Sequence, residues 1–113
     1  MVSKLIRQHH SALCTLASEK PKTRKILLEK AKRPVIDALS ECALNLLKGS
    51  IKLSEKQKKK LKRFKNYLRE LANKRVSLKK KKLITQRGGF IPALLSAILP
   101  VIGSLIGKAI SKK

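Results

Sequence analysis

The strongest constraint on this chain lies on either side of a glycine pair. Between Lys74 and Arg87 stand seven cations and no acid, whereas from Phe90 to Gly107 there is no charge at all. A fold must keep the first segment against solvent or a polyanion and give the second an apolar environment. Both demands fall on 113 residues, enough for one small domain and a tail but not for two ordinary domains.

The coarse pattern is helical throughout, with no period-2 alternation that would indicate strands. A first helix is expected from Lys4 to Ala17. Pro21 opens a second through "TRKILLEKA", and Pro34 opens a third, "PVIDALSECALNLLKG", which Gly49 stops. Val35, Ile36, Leu39, Cys42, Ala43, Leu46 and Leu47 fall on one face of the third helix. In the next unit, "SIKLSEKQKKKLKRFKNYLRELAN", Ser54 and Gln57 form a capping box, and Leu61, Phe64, Leu68 and Leu71 make an apolar stripe under lysines. Ser77 caps a last basic helix, "LKKKKLITQ". The expected class is all-α: a small, loose bundle of short basic helices, followed by a hydrophobic C-terminal helix. Its parts are an N-terminal helical segment (1–50), a basic nucleic-acid-binding region (51–87) and a hydrophobic helix (88–113).

The looseness is an electrostatic expectation. Twenty-nine basic residues face six acidic ones, a net charge of +23, and self-repulsion on that scale opposes compaction. The charge calls for a polyanionic partner: nucleic acid, an anionic membrane or an acidic protein. With no Trp, one Tyr and two Phe, the chain lacks the stacking platform of a single-strand binder. Arg, the usual reader of base edges, is scarce beside Lys. Phosphate contact with little sequence preference follows. Its candidate carriers are Lys56, Lys58, Lys59, Lys60, Lys62, Arg63, Lys65, Lys74, Arg75, Lys79, Lys80, Lys81 and Lys82. The competing reading sends the same lysines to anionic lipid, as in a cationic membrane-active or tail-anchored protein.

No catalytic constellation emerges, so an enzyme is not expected and no cofactor is implied. His9, His10 and Cys14 fall short of a conventional four-ligand zinc set. Asp37 and Glu41, one turn apart, read as residues salt-bridging to neighbouring lysines on an exposed helix face. Cys14 and Cys42 read as reduced thiols of an intracellular protein, since the opening residues lack the apolar run of a secretory signal.

On a helical wheel Pro92, Ser96, Pro100, Gly103, Ser104 and Gly107 fall within about 120° of arc. Leu94, Leu95, Ile98, Leu99, Val101, Ile102, Leu105 and Ile106 fill the rest of the circumference. Membrane engagement leads the readings of this segment. A core helix packed on the rest of the chain comes next, and a spanning anchor last. The preceding Arg87-Gly88-Gly89 serves as a helix stop and hinge, and a flexible small-residue junction is also where proteolysis is easiest.

A Lys/Arg-rich segment, a Gly-Gly pair and the stretch "GGFIPALLSAILPVIGSLIG" together resemble the precursor of the adenoviral minor core protein mu (pX). Residues 38–107 are similar to the short basic protein of Maverick/Polinton elements, the integrated relatives of adintoviruses. The resemblance implies a virion core protein in the host nucleus that neutralises and condenses double-stranded DNA. It further implies maturation by a viral cysteine protease, with Gln86, Arg87, Gly88 and Gly89 as recognition residues and scission before Phe90. The tail would then contact capsid or membrane. The adenoviral protein is richer in Arg and His before its glycines, and nothing in it corresponds to residues 1–50.

Overall fold

The structure is a computed structural model that describes the backbone of residues 4–49 and 51–111 and the side chains as far as residue 100. Among the described residues there are eight helices and no strands. They are α1 (Lys4–Gln8), α2 (His10–Ser18), α3 (Pro21–Lys30), α4 (Arg33–Leu47), α5 (Glu55–Lys62), α6 (Lys65–Ala72), α7 (Leu78–Thr85) and α8 (Phe90–Ser111). The all-α expectation holds.

Local chemistry accounts for most boundaries. Pro21 sits at the start of α3 and Pro34 in the first turn of α4, where a missing N–H costs nothing. Gly49 ends α4 in the left-handed region, φ +73°, its N–H donating to the Leu46 carbonyl at 3.2 Å. The Ser54 hydroxyl accepts from the Gln57 N–H (3.2 Å) while the Ser54 N–H donates to Gln57 Oε1 (3.0 Å), completing the capping box of α5. Ser77 Oγ likewise accepts from the Lys80 N–H at 3.2 Å and starts α7.

Two expected single helices are each divided in two. His9 leaves helical geometry (φ −109°, ψ 17°) between α1 and α2, although Leu13 N–H still donates to its carbonyl. Phe64 does the same between α5 and α6 (φ −109°, ψ 16°). The second break has a clear consequence, since it lets α5 pack on α8 while α6 packs along α4.

The core forms between α4 and α6, as expected, and against α8 as well. Ile36, Leu39 and Cys42 of α4 are buried with Leu68 and Leu71 of α6, and Leu13 and Leu16 of α2 lie in the same cluster. Helix α8 adds Phe90, Ile91, Ala93, Leu94, Leu95, Ala97 and Ile98, all buried. Ser96 and Pro100, on its small-residue face, are exposed. As far as residue 100 the apolar side of the wheel faces inward, where the chain itself covers it, while Pro92 on the other side is half-buried. With that wall in place the radius of gyration is 13.4 Å, near the roughly 13 Å of a compact chain of about 100 residues. The bundle is tighter than its net charge suggested.

As far as residue 100, no single helix is long and apolar enough to cross a membrane. Leu78–Thr85 and Phe90–Pro100 reach that length and composition only as a pair, bent by 90°.

Candidate nucleic-acid interface

Helix α5 shows how the fold sorts its lysines. Gln57 and Leu61, one turn apart, mark its inner face: Leu61 is buried and Gln57 Nε2 donates to the Ser96 carbonyl of α8 at 3.5 Å. Lys56, Lys58, Lys59, Lys60 and Lys62 occupy the remaining circumference and are exposed. Arg63 and Lys65 flank the Phe64 break and are exposed too. Between α6 and α7, the Asn73 side chain accepts from the Arg75 N–H (2.9 Å), a local turn that holds Lys74 and Arg75 outward. Lys79 and Lys80 continue the exposed set on α7.

Little within the chain neutralises these charges. Among the described residues, Glu55 lies 3.6 Å from Lys58, and the other ion pair, Arg33–Asp37 at 3.7 Å, is on α4. Both pairs are largely solvated and contribute about 0–1 kcal/mol each.

Two members of the set stand apart. Lys81 shares a helix face with Ile84 and Thr85, and all three are buried. Its Nζ donates to Ser40 Oγ at 3.1 Å, while the Ser40 hydroxyl donates to the Ile36 carbonyl at 2.9 Å. Burial holds the Lys81 ammonium below its ordinary pKa, Asp37 opposes that shift and Arg33 adds to it. Lys82, half-buried, donates to the Glu29 carbonyl at 3.3 Å and ties α7 to the end of α3. Eleven of the thirteen candidate cations are therefore exposed, and these two serve the fold.

Lys81 borders a cavity of about 420 Å³ shared with Arg33, Asp37, Ser40, Glu41 and Lys74. Asp37 does form a salt bridge, with Arg33 in place of the neighbouring lysines expected, but Glu41 does not lie on an open face: its Oε2 is buried without a hydrogen-bond partner. Next to it, the Cys42 thiol is pushed up to about 12, chiefly by burial and then by the Glu41 charge. His10 and Cys14 meet across one turn, Nε2 to Sγ 3.5 Å, and no three potential metal ligands converge among the described residues.

The glycine junction is a hydrogen-bonded turn. Gln86 is half-buried and Arg87, Gly88 and Gly89 are exposed. The Arg87 N–H donates to the Ile84 carbonyl, and the Phe90 N–H to that of Arg87. The Arg87 guanidinium lies 5.9 Å from the Tyr67 ring centroid, within cation–π range. Phe90 is fully buried, its ring 5.6 Å from Phe64 and 5.8 Å from Tyr67. Of the apolar tail residues, Leu94, Leu95 and Ile98 are buried and Leu99 is half-buried. Val101, Ile102, Leu105 and Ile106 lie outside the residues whose side chains are described.

Cations outside the candidate set also reach the surface. From Lys20 to Arg33 there are seven against one acid, a density obscured by the longer lysine runs downstream. One of them, Arg24, acts inside the fold, donating from Nε to the Leu16 carbonyl and from Nη2 to the Glu19 carbonyl, each at 2.6 Å. It closes the end of α2. Set against known protein families, curated proteins and solved structures, the chain matches none.

Proposed function

We propose that this protein neutralises and condenses double-stranded DNA without sequence preference, as a non-enzymatic core protein of a virus-like element. The observation that carries the reading is the exposure of eleven unpaired or weakly paired cations on a folded helical frame. Exposed lysines with few arginine forks suit phosphates rather than base edges. The resemblance to the Maverick/Polinton and adenoviral core proteins supports the virion assignment. It also supports scission after Gly89 by a viral cysteine protease, a step that requires the first turn of α8 to unwind because Phe90 is buried. The lipid reading ranks lower, because the apolar residues 90–98 that a bilayer would take are already used inside the bundle.

Titration of a fluorescent duplex tests the proposal. With six to ten phosphate contacts, affinity falls about 10³- to 10⁵-fold between about 50 and 200 mM salt, equally for unrelated sequences. Replacing Lys56, Lys59, Lys79 and Lys80 with Gln lowers the slope of log affinity against log salt by about 3 to 4. A salt-independent curve, or strong preference for one sequence, refutes the proposal.

A further inference from the structure

Lys22, Arg24 and Lys25 of α3 meet Arg87 of the glycine junction around one open cavity of about 530 Å³. No carboxylate lines it. Four like charges drawn together by a fold repel one another, and nothing lining the cavity offsets that repulsion. One of the four is fixed in place: Arg24 is held by the Leu16 and Glu19 carbonyls, while the exposed Arg87 lies over the Tyr67 ring. Lys22 and Lys25 are exposed and free to close on an anion. Pro21, which opens α3, and Gly89, which precedes α8, also line the cavity, so the positive ends of two helices border it. Its apolar floor is offered by Pro21 and the half-buried Pro92, because Leu28 and Ile91, which also line it, are almost wholly covered by the chain.

We infer that this cavity binds a small phosphorylated molecule, its phosphates among Lys22, Arg24, Lys25 and Arg87 and its less polar part against Pro21 and Pro92. The volume suits a small molecule, whereas a duplex is too wide to enter. The inference is independent of DNA binding, since none of the three α3 cations belongs to the exposed set on α5 to α7.

Calorimetry on the full chain at about 0.15 M salt, where surface charge is screened, tests it with inorganic tripolyphosphate and ATP as probes. One saturable site is expected, with ATP the tighter because of the apolar floor. The double variant Lys22→Glu/Lys25→Glu weakens both probes by about tenfold or more, whereas the charge-matched Lys4→Glu/Lys52→Glu changes them less than about threefold. Arg87→Gln gives a second reading should the α3 variant fail to fold, as judged by circular dichroism. Equal weakening by both double variants, unchanged affinity in Arg87→Gln, or the absence of saturation overturns the site. ATP no tighter than tripolyphosphate overturns the role of the floor. Competition by phosphatidic-acid vesicles assigns the phosphate to a lipid headgroup, and its absence to a soluble ligand.

Discussion

Replacing Phe90 with Ala tests whether α8 is a wall of the core or an appended tail. The Phe90 ring is fully buried and lies within 6 Å of both Phe64 and Tyr67, at 5.6 and 5.8 Å between centroids. Truncating a buried Phe costs about 3–5 kcal/mol, because the transfer energy is lost and a cavity remains. A chain of this size has a total stability of about 6–17 kcal/mol at 0.05–0.15 kcal/mol per residue, and self-repulsion places this one toward the lower end. The substitution therefore removes a large share of the total and lowers Tm by about 12–20 °C, at about 4 °C per kcal/mol. Far-UV circular dichroism melts and urea titration measure it. Ser96→Ala on the exposed face of the same helix is the control, expected to stay within about 0.5 kcal/mol. If the two variants unfold within about 1 kcal/mol of each other, α8 is not a core element and the reasoning fails. Deleting residues 90–113 removes the same wall altogether, so DNA binding by a truncated chain reports on charge without the fold.

What could be read in the sequence was local. The capping box at Ser54, the Ser77 cap, the Pro21 and Pro34 starts and the Gly49 stop each need only a few neighbouring residues. The breaks at His9 and Phe64 carry no proline or glycine. At Phe64 the break answers to packing, since α5 and α6 must reach different partners. The period of α8 identified its apolar face correctly, but periodicity says which face avoids water and not what covers it. Lys81 shows the same gap from the other side. Within "LKKKKLITQ" its spacing to Ile84 and Thr85 places it inward, a signal legible only once the inner face of α7 is known. The meeting of Lys22 with Arg87 across the cavity is a matter of tertiary placement alone, and no local pattern could have announced it.

The two junction glycines are expected to behave differently on substitution. Gly89 has φ +80°, so Gly89→Val strains the backbone and destabilises the fold, whereas a Cβ at Gly88 meets nothing within 4 Å. Gly88→Val therefore leaves the melt unchanged while blocking cleavage by a co-expressed element protease, and unaltered processing in that variant refutes the protease reading. Lys81→Met turns on a sign. The folded-state pKa of Lys81 lies below the ordinary lysine value, so between those two pKa values the unfolded chain binds more protons and stability rises with pH. Below both, the buried ammonium is a standing cost, set against its bond to Ser40 and the Asp37 charge and reinforced by Arg33. Methionine keeps the length, removes the charge, and leaves the Ser40 hydroxyl still donating to the Ile36 carbonyl. The variant is therefore more stable than the parent at neutral pH, and its advantage shrinks as the pH approaches 10.5. A loss of stability at pH 7 means that the Ser40 and Asp37 contacts outweigh desolvation and that Lys81 is held inward by attraction rather than by helix phase. An advantage constant across that range means that those contacts cancel the desolvation, and either result refutes the reasoning.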